Sequence, residues 1–82
     1  MPKCDKLLQK ARNNPAGLRF TELVQLAECY GFEFDRQKGS HHIYAQPVFN
    51  RQLVLVPDKN GKAKPYQVKQ ALKEIAAITD EE

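Results

Sequence analysis

The fold is decided by residues 32–56, which read FEFDRQKGSHHIYAQPVFNRQLVLV. Apolar and polar residues alternate over residues 32–36, which is typical of a half-buried β-strand, and residues 40–46 predict a second strand. The Gln-Lys-Gly sequence at 37–39 predicts a hairpin turn between them. Residues 52–56 predict a third strand, and because its apolar residues 53–56 run without alternation, we expect it to be central or covered on both faces.

Alternation also divides the side chains of these strands between two faces of the sheet. Phe32 and Phe34 point the same way along the first strand, and we assign both to the core. The second strand has two faces, one formed by His41, Ile43 and Ala45 and the other by His42, Tyr44 and Gln46.

Helical periodicity flanks the strand segment on both sides. Apolar spacing predicts amphipathic helices over residues 3–12 and 20–30, the second ended by Gly31. Pro65 suits the first position of a last helix. That helix has an apolar stripe formed by Val68, Leu72, Ile75 and Ala76. The predicted fold class is α+β in the order α-α-β-β-β-α, with helices covering one face of a three-stranded antiparallel sheet.

Length and composition limit the possible functions. The 82 residues predict a single domain over 1–82, too small for an enzyme with a separate cofactor module. The longest apolar run, residues 53–56, is far too short for a membrane span. Because the first residues lack the pattern of a secretory signal, we expect a cytoplasmic protein with Cys4 and Cys29 as free, reduced thiols. The acidic residues 79–82 are expected to fray.

The positive charge is concentrated in the middle of the chain. Net charge is only +3, but residues 36–73 carry eight cations against the single anion Asp58, and the rest of the chain sums to −4. The cations are Arg36, Lys38, Arg51, Lys59, Lys62, Lys64, Lys69 and Lys73. Such a distribution favours a basic face that binds a polyanion, nucleic acid above all.

Only one short motif could carry catalytic chemistry. The chain has no glycine-rich phosphate loop, no HExxH and no Cys/His group with zinc spacing, so we expect neither a metal nor a cofactor. The motif Gly39-Ser40-His41-His42 contains both histidines. An imidazole, with an ordinary pKa of about 6.5, can take and give a proton near neutral pH, as metal-free RNA cleavage requires.

Each residue of this region also has a purely structural interpretation. The two histidines can be polar strand residues, one solvated and one hydrogen-bonded to the backbone. Because neighbouring strand residues face opposite ways, only one of them is expected at a reaction centre. Ser40 is either a nucleophile or, more simply, a turn-capping hydroxyl. Tyr44 either stacks on a base or packs in the core.

Several motifs together resemble the HicA toxin family over about residues 18–78. They are Leu18-Arg19-Phe20, Tyr30-Gly31-Phe32, RQKGSHHIY at 36–44, the apolar third strand ending in Pro57, and GKAKPYQV at 61–68. The resemblance implies a fold similar to the double-stranded-RNA-binding domain. It further implies a small ribonuclease of a type II toxin–antitoxin system, which cleaves messenger RNA without a metal and is held inactive by a HicB antitoxin covering its active site.

The resemblance also assigns roles to residues. The family's functional histidine follows Gly-Ser directly, which is His41 here, although some members carry it one place later, at the position of His42. Where many members have Lys-Pro-Gly-Thr, this chain has Lys64-Pro65-Tyr66-Gln67, which implies altered RNA contact there. Residues 1–17 form an additional helix and linker.

Our leading hypothesis is therefore a metal-independent endoribonuclease toxin with His41 as general acid or base. The alternative is a non-catalytic RNA-binding module of the same fold, and a structural protein without a nucleic-acid role is a third possibility. The residues expected to contact RNA are Arg36, Lys38, Ser40, Tyr44, Lys62 and Lys64.

Overall fold

A computed structural model describes residues 2–80, with side chains over residues 4–79. Its helices and strands follow one another as α1 (Pro2–Asn13), a short 3-10 helix (Pro15–Gly17), α2 (Phe20–Cys29), β1 (Glu33–Lys38), β2 (His41–Gln46), β3 (Arg51–Leu55) and α3 (Pro65–Asp80). The predicted α+β fold and its order α-α-β-β-β-α are confirmed.

The three strands form one antiparallel sheet in the order β1-β2-β3, so β2 is central. The prediction that the third strand is central or doubly covered is wrong. Leu53 and Leu55 are buried, whereas Val54, which points to the opposite face, is 46% exposed. The run of apolar residues concealed this alternation because Val54 is apolar and yet faces outward.

A two-residue loop, Gly39-Ser40, joins β1 to β2, with Lys38 paired to His41. The turn therefore lies nearer to β2 than the prediction of residues 37–39. Gly39 has a φ of 61°, in the left-handed region that glycine occupies at little cost. A glycine at the first loop position is typical of a tight hairpin turn whose twist matches the strands.

A β-bulge in β1 decides which side chains share a face. Phe34 pairs with Tyr44 and Arg36 pairs with Ile43, so Asp35 is the additional residue between two consecutive pairs. In an unbroken strand Phe34 and Arg36 would point the same way. The bulge instead places Phe34 on the face of Tyr44 and Arg36 on the opposite face with Ile43.

The helices cover the face of the sheet that carries Tyr44, Leu53 and Leu55, and together they enclose the core. The largest fully buried side chains are Phe32, Leu18, Leu23, Leu26, Leu55, Ile75 and Val68. The helices predicted over residues 3–12 and 20–30 are confirmed as α1 and α2. In α3 the buried stripe is formed by Val68, Ala71, Ile75 and Ile78, and the predicted Ala76 is exposed.

Phe34 is not in the core, contrary to the prediction. It is 54% exposed, whereas Phe32 is 1% exposed. β1 makes extensive contacts only with β2, because the helices pack over the β2 and β3 side of the sheet. The ring of Phe34 therefore lies beyond the helical layer, edge-on to Tyr44 at a centroid distance of 5.6 Å.

The prediction of free thiols is also wrong. Cys4 in the first turn of α1 and Cys29 at the end of α2 form a disulfide, with Cα atoms 6.0 Å apart. The two helices pack against each other, which brings these cysteines together although 25 positions separate them. Cys29 is exposed rather than part of the core.

An ion pair fixes the other end of the α1–α2 contact. Lys10 Nζ donates to Glu22 Oε2 at 2.8 Å, and the backbone N–H of Arg19 donates to Glu22 Oε1 at 3.0 Å. The hydrogen bond from Lys10, followed by that from Arg19, lowers the pKa of Glu22. Together with the disulfide, this contact attaches α1 to α2 at both ends.

Two buried glutamines satisfy backbone groups at the margins of the sheet. Gln46 Nε2 donates to the Tyr30 carbonyl at 2.8 Å, and its Oε1 accepts from the N–H of Val48 at 2.8 Å. Gln67 Oε1 accepts from the N–H of Val56 at 3.0 Å, which joins α3 to the end of β3. Arg51 and Glu74 form a second link between this helix and strand, at 3.1 Å.

The carboxyl-terminal helix extends further than expected. α3 continues through Asp80, so the described part of the segment expected to fray, residues 79 and 80, is helical. Residues 81 and 82 lie outside the described part of the chain. Between residues 2 and 80, no helix has the length and apolar character needed to cross a membrane.

Candidate nucleic-acid interface

His41 is the first residue of β2 and lies on the face of the sheet that the helices leave open. It is exposed, and it pairs across the strands with Lys38. Side chains of directly opposed residues on one face lie about 5 Å apart at their Cβ atoms. The imidazole and the Lys38 ammonium can therefore reach the same small anion.

Arg36 continues this basic row. It pairs with Ile43, which lies on the same face as His41, so Arg36, Lys38 and His41 occupy adjacent positions on the open face. The guanidinium of Arg36 contacts the Asp35 carboxylate, and both side chains are largely exposed. Ser40 is exposed in the loop next to His41. The structure thus groups Arg36, Lys38, Ser40 and His41 at one end of the hairpin.

His42 lies on the opposite face, as strand alternation predicted. It is partly buried, and its ring is 5.2 Å from the ring of Phe20, at an interplanar angle of 58°. The two histidines therefore have different surroundings, one a solvated basic surface and the other an aromatic contact at the start of α2.

Lys62 and Lys64 belong to the side of His42 rather than to that of His41. The loop between β3 and α3 packs on the start of α2, where Lys62 forms a β-bridge with Arg19 and the N–H of Phe20 donates to the Gly61 carbonyl at 3.1 Å. Lys62 is exposed and Lys64 is partly buried. The predicted RNA-contacting cations are therefore divided between two surfaces.

Asp58 organises this second loop. Its carboxylate accepts the N–H groups of Asn60 and Lys62, both at 2.8 Å. The hydrogen bond from Lys62 is the main reason that the pKa of Asp58 is lowered. The carboxylate thus holds the backbone on either side of Gly61 in a fixed turn, with the Lys62 side chain directed outward from it.

Tyr44 does not have an accessible ring, which corrects its assignment as an RNA contact. It is 6% exposed and belongs to the core cluster. Burial, and then the nearby carboxylate of Glu28, raise the pKa of its hydroxyl. A base cannot stack on a ring that is already covered by the core.

Sequence reasoning missed three features of these surfaces. Phe20 contacts His42, and Phe34 is exposed at the sheet margin. In addition, Tyr66, Lys69 and Lys73 line an open groove on the outer side of α3. The spacing of the last three, at i, i+3 and i+7, is the signal in the sequence that indicates a shared helix face. Within residues 2–80, no cluster of His, Cys, Asp and Glu could hold a metal ion.

Comparison with known families gives one match. The sequence model described as HicA toxin of bacterial toxin–antitoxin matches residues 20–76, which is well over half of the chain. The chain belongs to the HicA toxin family. The matched range of this HicA protein runs from the start of α2 into the last turns of α3 and contains both histidines. Neither the curated proteins nor the solved structures include a significant match.

Family membership implies that this chain has a partner. A HicA toxin is one component of a bacterial toxin–antitoxin pair, so it has a partner antitoxin. Helix α1 lies outside the matched range, and in this HicA protein it is packed on α2 and α3 rather than on the sheet. The additional helix therefore leaves the basic row on the open face uncovered.

Proposed function

We propose that this HicA toxin is a metal-independent endoribonuclease that cleaves messenger RNA, with His41 as its general acid or base. The observation that carries the proposal is the position of His41, exposed on the open face and paired with Lys38. A phosphodiester lying on this face has an imidazole and two cations, Lys38 and Arg36, within reach of a single linkage.

The chemistry follows from these three groups. The neutral imidazole of His41 takes the proton of a ribose 2′-hydroxyl, and the oxygen attacks the adjacent phosphorus. The bond from phosphorus to the 5′ oxygen breaks, and that oxygen leaves with a proton returned by the imidazolium through a relay. Lys38 and Arg36 stabilise the negative charge that develops on the phosphoryl oxygens. The products are a 2′,3′-cyclic phosphate and a free 5′-hydroxyl.

Burial favours His41 over His42 for this role. His41 is exposed, whereas His42 is partly buried with its ring against Phe20. A general base must lie within about 3 Å of the proton that it takes, or reach it through one water. The ring of His42 is directed at the helical layer, where the aromatic contact occupies the space that a ribose would need.

The test compares the two histidines in the presence of EDTA. We expect His41→Ala to lower the rate of RNA cleavage by at least about 100-fold, the usual contribution of general acid–base catalysis, without changing the thermal midpoint. His42→Ala is the matched control, and it should retain cleavage while losing some stability through its contact with Phe20. Cleavage of equal rate by the His41→Ala protein would remove His41 from the mechanism.

A second candidate function is a non-catalytic RNA-binding module. The observation that favours it is that no side chain over residues 4–79 makes a hydrogen bond to the His41 ring. A catalytic imidazole is usually oriented by such a bond. Analysis of the products separates the two functions, because fragments with a 2′,3′-cyclic end support the enzyme, whereas stable complexes with intact RNA support the module.

The remaining parts of the proposal concern partner and location. We propose a HicB-type antitoxin as the partner, which would inhibit the toxin by covering the His41 face. We propose the cytoplasm as the site of action, because messenger RNA is the substrate. Co-purification of the toxin with the product of the neighbouring reading frame would test the first, and fractionation of cells would test the second.

A further inference from the structure

We propose that the antitoxin binds the outer edge of β1 as an added β-strand, with an apolar side chain packed on Phe34. Such strand addition uses the backbone N–H and C=O groups of an unpaired edge for affinity and the side chains on either face for specificity. The proposal goes beyond the ribonuclease function and does not depend on it, because it concerns only where the partner pairs with the sheet.

The first observation is that the two edges of the sheet differ. At the β3 edge, Gln67 occupies the N–H of Val56, and the pair of Arg51 and Glu74 joins the strand to α3. β1 makes extensive contacts only with β2, and all six of its residues are exposed. Over residues 2–80, β1 is therefore the edge of the sheet without a neighbouring element.

The second observation is an apolar anchor at that edge. Phe34 is 54% exposed on the helix face, and its ring meets Tyr44, which is part of the core. A partner side chain that covers Phe34 would extend the core outward by one layer. Aromatic side chains that pack on the core on one side and are exposed on the other often contribute much of the binding energy at protein interfaces.

The charges on the opposite face define the chemistry of the added strand. Residues on one strand alternate between faces, so a strand that places an apolar side chain near Phe34 places its neighbours on the face of Arg36 and Lys38. Acidic side chains at those positions would pair with the two cations. Glu33 lies on the same face, because it pairs with Ala45. The partner segment is therefore a strand of alternating apolar and polar residues, acidic opposite Arg36 and Lys38 but not opposite Glu33.

A second copy of this chain fits the edge poorly. Antiparallel self-pairing centred between Asp35 and Arg36 would match Glu33 with Lys38 and Asp35 with Arg36, but it would leave Phe34 opposite Gln37. Centring the pairing on Phe34 would match the two aromatic rings but oppose Glu33 and Asp35, which carry like charges. No single register satisfies both the charges and the aromatic ring.

RNA also fits this edge poorly. Phe34 lies on the face opposite to Arg36, Lys38 and His41, so a strand of RNA held by those three residues does not reach its ring. A protein strand needs no positive charge on the Phe34 side, and it uses backbone groups that RNA leaves unpaired.

The experiment measures binding of the purified product of the neighbouring reading frame, the candidate antitoxin. We expect Phe34→Ala to weaken binding by at least about 30-fold, the loss expected on truncating an anchoring aromatic residue. Val48→Ala is the control, because Val48 is 81% exposed but lies in the turn between β2 and β3. Circular dichroism and the thermal midpoint of each variant separate a binding defect from unfolding.

Hydrogen exchange of the unmutated complex gives a second measurement that no folding defect can affect. We expect slowed exchange of amides in residues 33–38 when the antitoxin is bound, and little change there when RNA is bound. Several outcomes would each overturn the proposal. In the binding measurement, they are equal affinity of the Phe34→Ala and unmutated proteins, or no binding of the antitoxin at all. In the structural measurements, they are slowed exchange only outside β1, slowed exchange at β1 with RNA, or self-association through β1. Loss or absence of RNA cleavage bears on the ribonuclease function alone.

Discussion

Gly31 shows how much can depend on one residue. It ends α2 with a φ of 90°, and a Cβ atom added there would lie 2.3 Å from Gln46 Nε2. That amide donates to the carbonyl of Tyr30, the residue before the glycine. Gly31 is therefore required both for its left-handed backbone and for the space that Gln46 occupies.

Two glycine substitutions separate these requirements. Gly31→Ala should lower the free energy of unfolding by about 2–4 kcal/mol, because it adds overpacking to the cost of a left-handed alanine. Gly39→Ala is the control, since Gly39 has a φ of 61° but no atom within 4 Å of an added Cβ. It should cost only about 1–2 kcal/mol. Urea unfolding of both variants is the measurement. Equal losses in the free energy of unfolding would show that the Gln46 side chain moves aside at little cost.

The sequence predicted the placement of a residue correctly where strand alternation or helix termination alone determines it. Strand alternation separated His41 from His42, and the left-handed role of Gly31 followed from its place after a helical stripe. Phe34 and Tyr44 were interpreted wrongly because their exposure depends on where the helices pack. That packing brings α3 along β3 and leaves β1 uncovered, and no pattern within β1 reports it.

At the level of elements, the attachment of α1 to α2 is the feature that the sequence concealed. The apolar spacing of α1 predicted a helix, but spacing does not reveal which helix it packs on or in which direction. The disulfide and the pair of Lys10 and Glu22 require antiparallel packing of α1 on α2. The two cysteines were assigned as free thiols because the first residues lack a secretory signal. The sequence does not report the direction of helix packing that brings them together.

The contribution of this attachment can be measured through the disulfide. Closing a loop of 25 residues restricts the unfolded chain by about 3.5 kcal/mol at 25 °C. We expect the free energy of unfolding of the oxidised protein to be higher than that of the Cys4→Ser variant by this amount. Helix α1 should remain helical in the variant. In the presence of reductant the two proteins should have equal stability. A difference that persists after reduction would show that the introduced hydroxyl itself disturbs the helix packing.

Over the whole molecule, folding divides the cations among three separate places. The charge count of residues 36–73 predicted a basic protein but treated its cations as one group. Folding places Arg36 and Lys38 on the open sheet face, Lys62 beside α2, and Lys69 and Lys73 along α3. A linear sequence could not predict this division, because it depends on the face that each element turns toward the core.

RNA binding should distinguish these surfaces. If RNA lies on the open sheet face, Lys38→Ala should remove one phosphate contact. The slope of log affinity against log salt concentration should then fall by about 0.7 for single-stranded RNA or about 0.9 for a duplex. Lys69→Ala removes the same charge from the outer side of α3, and it should leave the slope unchanged. Fluorescence anisotropy of a labelled RNA at several salt concentrations is the measurement. Equal slopes for both variants would place RNA elsewhere.

The closure of the β3 end by Gln67 has a consequence for the behaviour of this protein at high concentration. A sheet with two open borders can grow into a fibril, because every added molecule presents a fresh border for the next one. Here Gln67 occupies the N–H of Val56 just beyond β3, and α3 packs on that strand, so a strand arriving at this border competes with contacts already made. Growth through the sheet is therefore disfavoured at the β3 border.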